Sequence, residues 1–98
     1  MNLDLKGKTV LITGSGSGMG QHMAVGYAQE GANVAVNDIN GDAVAETIKM
    51  VEEAGGTAHD ATADITDLAT VKDMIAVTES TLGGIDILVN NAALLTEH

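Results

Sequence analysis

The chain has 98 residues, which is enough for one domain, and 45% of them are hydrophobic, so the composition argues against disorder. Four lysines and no arginine stand against fourteen acidic residues, and the net charge of −10 makes nucleic acids and anionic membranes poor partners. The absence of cysteine excludes disulfides and thiolate chemistry. No apolar stretch approaches transmembrane length, so we expect a soluble cytoplasmic protein formed by a single domain, residues 1–98.

The first predicted elements are a strand, a glycine-rich turn and a helix. The apolar run Val10–Ile12 precedes the segment Thr13–Gly20, and a helix is predicted from about Gly18 to Glu30, ending at Gly31. Its inward-facing residues are predicted to be Met23, Ala24, Tyr27 and Ala28. Backbone amides at a helix start have no intrahelical partner, and glycines let an anion approach them closely. The segment therefore predicts a phosphate-binding turn.

The second strand is predicted to begin near Asn33, and the acidic residue Asp38 follows its apolar run. A carboxylate at this place can accept both hydroxyl groups of an adenosine ribose, so turn and acid together predict a dinucleotide site. The next helix has Asn40 as its predicted N-cap and Gly55-Gly56 as its end. Its inward face is predicted to hold Val44, Ile48 and Val51.

The third strand, Thr57–Ala63, has the weakest pattern, because His59 and Asp60 interrupt it. A third helix is predicted with Thr66 as its N-cap, Asp67 in its first turn and Gly83-Gly84 at its end. Its packed face is predicted to comprise Leu68, Val71, Ile75 and Leu82. The fourth strand is predicted at Ile85–Asn90.

This alternation predicts an α/β fold, a Rossmann-type doubly wound parallel sheet with about four strands and three helices. Right-handed crossovers give the strand order 3-2-1-4, with the first two helices on one face and the third on the other. Strand four is then an apolar edge, as in an incomplete half of a larger fold. We therefore expect marginal stability or self-association through this uncovered sheet edge.

The glycine pattern differs from G-x-G-x-x-G, because position 19 is Met. The pattern T-G-x-x-x-G-x-G, from Thr13 to Gly20, resembles the short-chain dehydrogenase/reductase family. Three later segments match that family in order: Asp38, Asp64-Ile65 with the following Thr66-Asp67, and Leu82–Ala92. The resemblance covers the whole chain but corresponds only to the N-terminal, NAD-binding portion of the family.

The resemblance also implies a set of cofactor-binding residues. Those around the pyrophosphate and adenosine would be Gly14, Ser15, Ser17, Gly18, Met19 and Gly20. Asp38 would bind the ribose, and Ile39 would lie against the adenine. Asp64 would accept from the adenine amino group, while Ile65 would supply a backbone contact. Asn91, Ala92 and Ala93 would pass beside the nicotinamide-side ribose, although the family usually has glycine at the position of Ala93.

Structural alternatives stay open for several of these residues. The glycine turn can be architectural, and Asp38 can be an ordinary acid preceding a helix. Asp64 and Asp67 can serve as helix caps or first-turn charges, which for Asp67 is the preferred interpretation. The amides of Asn90 and Asn91 can bind neighbouring backbone at a strand end.

The cofactor predicted is NAD rather than NADP, because Asp38 would repel a 2′-phosphate and no arginine is available to bind one. The family implies an oxidoreductase that transfers hydride between NAD and an alcohol or ketone. Its catalytic Ser and Tyr-x-x-x-Lys are not visible, because the single tyrosine, Tyr27, has Gly31 four residues later. We therefore assign no catalytic residue and expect the isolated chain to be inactive.

Two alternatives are a non-catalytic NAD-binding fragment and an S-adenosylmethionine-dependent methyltransferase. The second has a loosely similar glycine turn, but Thr13 replaces the acid usual in that class. The histidines and acids have no metal-like spacing, so no metal site is predicted. The sequence does not indicate the substrate or the oligomeric state.

Overall fold

The computed structural model describes residues 4–92, in which strands and helices alternate. The elements are β1 (Thr9–Thr13), α1 (Gly18–Gln29), β2 (Asn33–Val36), α2 (Gly41–Glu53), β3 (Thr57–Asp60), α3 (Leu68–Leu82) and β4 (Ile87–Asn90). All strand pairs are parallel and the order is β3-β2-β1-β4, which confirms the predicted Rossmann-like topology. No helix within residues 4–92 is long and apolar enough to cross a membrane.

The two faces of the sheet have separate hydrophobic cores, because successive residues of a strand point to opposite sides. Val10 and Ile12 of β1, with Val34 and Val36 of β2, pack against residues of α1 and α2. On the other face a smaller cluster joins β1 and β2 to α3; its buried members are Leu11, Ala35, Ala61, Ala63 and Met74. The predicted distribution of helices, two on one face and one on the other, is confirmed.

Local signals define most helix ends. The Asn40 side chain caps α2 by accepting from the backbone amides of Asp42 (3.0 Å) and Ala43 (3.2 Å), as predicted. Gly31 and Gly55, which follow α1 and α2, have φ angles of +93° and +87°, a region that favours glycine. These stops were expected from the sequence and are confirmed.

The start of α3 differs from the prediction. Its N-cap is Asp67, whose carboxylate accepts from the amides of Ala69 (3.0 Å) and Thr70 (3.3 Å). The predicted cap, Thr66, is wrong because its amide and hydroxyl both donate to Asp64 in the preceding turn. The preferred structural role of Asp67 is thus confirmed as a cap.

Three other local predictions are wrong in part. β3 ends at Asp60 rather than Ala63. Leu68 is 69% exposed, because α3 packs on the sheet through its middle and its carboxyl end, from Met74 to Leu82, and Leu68 at the first helical position lies outside that contact. β4 begins at Ile87 rather than Ile85. Just before it, Asp86 exchanges two hydrogen bonds with the Thr9 backbone, since the Asp86 amide donates to the Thr9 carbonyl (2.9 Å) and the Thr9 amide donates to the Asp86 carboxylate (2.8 Å).

Candidate functional site

The site lies at the carboxyl ends of β1, β2 and β4, around residues 14–17, which we call the glycine loop. Gly14 and Gly18 have φ angles of +64° and +58°. A Cβ on Gly14 would lie 2.9 Å from the Ala92 Cα, so this position is also crowded by backbone. A Cβ on Gly18 would meet nothing within 4 Å, so the space beside Gly18 is open to a ligand.

The amino end of α1 differs from those of the other two described helices. Its N-cap residue, Ser17, makes no side-chain cap hydrogen bond, whereas the N-cap side chains of α2 and α3 both do. Within residues 4–92, the backbone amides of Ser17, Gly18, Met19 and Gly20 have no hydrogen-bond partner. Such amides and the positive end of the helix dipole favour an anion. Side chains of Asn40 and Asp67 occupy the same place on α2 and α3.

Two of the predicted site residues, Ser15 and Gly20, are buried and support the glycine loop. Ser15 is fully buried, its hydroxyl donates to the Ile12 carbonyl (2.8 Å), and its amide donates to the Asn37 carbonyl (2.8 Å). Ser15 therefore shapes the loop and offers no free donor. A Cβ on Gly20 would collide with the Gly14 carbonyl oxygen, so Gly20 allows α1 to approach the loop closely.

Asp38 lies directly beside the glycine loop and is half-buried. Its Oδ2 accepts from the amide of Gly16 at 3.1 Å, and its Oδ1 accepts from the amide of Asn40 at 3.3 Å. A Cβ on Gly16 would lie 2.8 Å from that Oδ2 and 2.7 Å from the Ala43 Cβ. Gly16 is thus needed for the carboxylate to reach the loop. Its role was not among the predicted site residues, although its place within a glycine-rich loop was a signal.

A cavity of about 220 Å³ opens next to Asp38, between the ends of β1, β2 and β4. Its lining brings together six predicted residues, Gly14, Asp38, Ile39, Asp64, Ile65 and Ala92, and adds Asn37, Ala63 and Thr66. Ile39 is 69% exposed, so an apolar face is available at the cavity. The cavity places the carboxylates of Asp38 and Asp64 around one space.

Asp64 is held in a tight turn by Thr66. Its Oδ1 accepts from the Thr66 hydroxyl at 2.6 Å and from the Thr66 amide at 2.9 Å. These hydrogen bonds, the hydroxyl first, lower the pKa of Asp64 below its ordinary value, because they stabilise the ionised form. Asp64 is therefore an ionised acceptor at neutral pH.

The end of β4 is tied to the glycine loop. The amides of Asn91 and Ala92 donate to the Thr13 hydroxyl at 3.0 and 3.1 Å. The Asn91 side-chain amide donates to the Gly14 carbonyl at 3.0 Å, which supports the backbone-binding alternative for this residue. Ala93 lies outside the described residues. Within residues 4–92, no three His, Asp or Glu side chains come together as a metal site.

Comparison with known proteins identifies the family of the chain. The sequence profile of the short chain dehydrogenase family matches residues 8–98. The chain belongs to this family. It is 42% identical over 91 residues to 7alpha-hydroxysteroid dehydrogenase of Escherichia coli (strain K12), which covers 93% of the chain and 36% of that relative. The chain thus spans about a third of the length of such short-chain dehydrogenases.

One short-chain dehydrogenase relative has a similar length. The short-chain dehydrogenase/reductase homolog YusS of Bacillus subtilis (strain 168) is 40% identical over 97 residues, which cover 98% of the chain and 88% of YusS. Among solved structures, a 7 alpha-hydroxysteroid dehydrogenase complexed with NADH and 7-oxo glycochenodeoxycholic acid superposes with a TM-score of 0.85 at 40% identity, over 91% of the chain and 35% of that structure. The short-chain dehydrogenase fold is therefore shared over almost the whole chain.

Proposed function

We propose that this chain is the NAD-binding part of a short-chain dehydrogenase that transfers hydride between NAD and an alcohol or ketone. The observation that carries the proposal is the row of unpartnered amides from Ser17 to Gly20, next to the Asp38 carboxylate. A diphosphate needs hydrogen-bond donors, and a ribose with a free 2′-hydroxyl needs an acceptor. The donors and the acceptor lie together at the carboxyl ends of the strands. The relative solved with NADH supports this choice of ligand.

In the proposed complex, each part of the cofactor has its own residues. The amides of Ser17–Gly20 bind the diphosphate, with Gly14 and Ser15 shaping the turn below. Asp38 accepts from the adenosine ribose, and the adenine enters the cavity between Ile39 and Ile65, with Asp64 as an acceptor. The nicotinamide-side ribose passes Asn91, Ala92 and Ala93. The cofactor supplies the hydride chemistry when bound, and the chain supplies binding and orientation.

The proton-transfer groups of such a reaction are proposed to lie outside these 98 residues. Tyr27, the only tyrosine of the sequence, is on α1 and packs against the core between the sheet and the first two helices. It therefore lies in the wrong layer to reach a substrate at the strand ends. We propose that the 98-residue chain alone does not reduce NAD with any alcohol.

A non-catalytic NAD-binding protein is the second candidate, and the similar length of YusS favours it. The two candidates share the binding site, and both predict no turnover by the 98-residue chain alone; they differ in whether proton-transfer groups outside it complete the reaction. Alcohol-dependent NAD reduction by the 98-residue chain would contradict both our placement of the proton-transfer groups and this second candidate. Membership of the dehydrogenase family favours either candidate over the methyltransferase alternative.

The binding proposal is tested by fluorescence titration with NADH. We expect saturable binding by the unchanged chain, and Gly18→Ala should weaken it by about tenfold or more, because the methyl group enters the space of the diphosphate. Gly55→Ala is the matched control, since Gly55 also has a positive φ and open space, but follows α2. Both changes strain the backbone, so the thermal transitions of the two variants should fall similarly.

Three outcomes would contradict the binding proposal. The first is that the unchanged chain does not bind NADH. The second is that the Gly18→Ala and Gly55→Ala variants bind NADH equally well. In the third, S-adenosylmethionine binds in place of NADH, which would favour the methyltransferase alternative.

We further propose that residues 1–98 form one domain unit that self-associates when nothing else covers it. A groove of about 420 Å³ between α3 and β4 has a largely apolar lining that includes Leu11, Met74 and Leu88, and Leu88 is 63% exposed. Sedimentation velocity over a range of concentrations tests this, and a monomer at all concentrations with a sharp thermal transition would contradict it. A cytoplasmic location stays a prediction from the sequence.

A further inference from the structure

Thr47, a fully buried threonine of α2, is bonded to the glycine loop rather than to its own helix. Its hydroxyl donates to the Ser15 carbonyl at 2.8 Å and accepts from the Gln21 side-chain amide at 3.0 Å. The Gln21 amide also donates to the Gly16 carbonyl at 3.3 Å. Two successive carbonyl groups of the loop are thus held by side chains from α2 and α1.

Holding these carbonyls also sets the direction of the next two amides. Peptide bonds of the described chain are trans and planar, so the C=O and the N–H of one peptide point in opposite directions. Because the Ser15 carbonyl accepts from Thr47, the Gly16 N–H points away from the Thr47 hydroxyl, and it donates to the Asp38 carboxylate at 3.1 Å. With the Gly16 carbonyl on Gln21, the Ser17 N–H faces the opposite side, where it has no partner among the described residues.

We propose that Thr47 and Gln21 are positioning residues for the cofactor site. Thr47 orients Asp38 through the Gly16 amide, and Gln21 orients the Ser17 amide toward the diphosphate. The inference rests on the proposed function, and neither side chain needs to touch the cofactor. Packing alone does not require the Thr47 hydroxyl, because valine has nearly the same shape. Removing it leaves the Ser15 carbonyl without this donor, which favours a rotated peptide.

The test compares Thr47→Val with Thr78→Val. Thr78 is also a fully buried helical threonine, but its hydroxyl has no hydrogen-bond partner within the described residues. The same change is therefore made with and without the proposed contact. Thr47→Val removes two hydrogen bonds, to the Ser15 carbonyl and from Gln21, and we expect it to raise the NADH dissociation constant by about five- to tenfold. Thr78→Val and Thr47→Ser, which keeps a hydroxyl, should stay within about twofold.

A double-mutant cycle separates positioning from general destabilisation. In an Asp38→Ala background, the effect of Thr47→Val on NADH affinity should be clearly smaller, because the part that passes through Asp38 is absent and only the part that passes through Gln21 remains. An equal effect in both backgrounds would overturn the assignment of Thr47. Gln21→Met, with Gln29→Met at the exposed end of α1 as its control, gives an independent test if Thr47→Val does not fold.

A ligand-free measurement distinguishes failure of this inference from failure of the proposed function. Amide hydrogen exchange at Gly16 should be faster in Thr47→Val than in Thr78→Val, because the Gly16 N–H loses its orientation toward Asp38. Equal exchange in the two variants overturns the inference, whether or not NADH binds. If the unchanged chain does not bind NADH, the proposed function fails, and Gly16 exchange still decides whether Thr47 orients the loop.

Discussion

Removing the charge of Asp38 is the sharpest perturbation of the proposed cofactor preference. Both carboxylate oxygens already accept from backbone amides, Oδ2 from Gly16 at 3.1 Å and Oδ1 from Asn40 at 3.3 Å. The group is therefore fixed beside the loop and does not swing away from a ligand. Asp38→Asn keeps the shape but only one of the two acceptor oxygens, so it removes the charge together with one of these two amide hydrogen bonds.

The size of the effect follows from Coulomb's law. A 2′-phosphate about 4 Å from this carboxylate costs about 1 kcal/mol per charge pair in water and about 4 kcal/mol near a protein surface. The smaller value corresponds to about a fivefold change in affinity and the larger to about a thousandfold. Asp38 is half-buried, so we expect a value between these limits. Asp38→Asn should narrow the preference for NADH over NADPH by at least about fivefold, chiefly through tighter NADPH binding.

Parallel fluorescence titrations with NADH and NADPH at low and moderate salt measure this preference. Asp42→Asn is the control, because it changes the net charge by the same amount. Asp42 is an exposed acid in the first turn of α2. The preference should respond to Asp38→Asn and shift by less than about twofold with Asp42→Asn. A ratio that is unchanged by Asp38→Asn, or changed equally by both variants, would refute the placement of the ribose against Asp38.

Three further predictions concern the stability of the site and its pH dependence. Gly20→Ala should lower the free energy of unfolding by about 1–3 kcal/mol through overpacking, whereas Gly26→Ala in the same helix, where a Cβ meets nothing, should raise it by up to about 1 kcal/mol; thermal denaturation compares the two. Asn40→Ala should cost about 1 kcal/mol in urea unfolding, because α2 loses its cap, and no loss would contradict that role. Thr66→Val should raise the pKa of Asp64 toward its ordinary value in an NMR titration, since the hydroxyl is the main cause of the lowering. With a lowered pKa in the folded state, the stability contributed by Asp64 is present at neutral pH and is lost as the pH falls below about 4 toward that pKa, so Thr66→Val should weaken this acid dependence.

Local sequence signals predicted most of the architecture. Asn40 was expected to cap α2, and Gly31 and Gly55 were expected to end helices, because capping and positive φ depend on residues close in sequence. The strand order followed from the alternation of elements and the handedness of crossovers. At the start of α3, Thr66 and Asp67 are both residue types that cap helices. Because the Thr66 hydroxyl is bonded to Asp64 in the preceding turn, Asp67 is the N-cap.

The candidate site was predicted at the level of its segments and less well at the level of side chains. Asp38 and Asp64 were named from the sequence, and the structure places both at one cavity. The burial of Ser15 and the positions of Gln21 and Thr47 were not predicted. Serine, glutamine and threonine are common surface residues, and only the packing of α1 and α2 around the loop shows where they point.

By itself, the sequence determined the order of strands and helices, the family and the glycine-rich turn at which α1 begins. These properties depend on periodicity, on glycine and on contacts within a few residues. Only the tertiary structure decided which polar groups are already used, as when the Asn91 side chain binds the carbonyl of Gly14, 77 positions earlier. Such contacts depend on how sheet and helices pack, because parallel pairing brings distant strand ends to the same edge of the sheet.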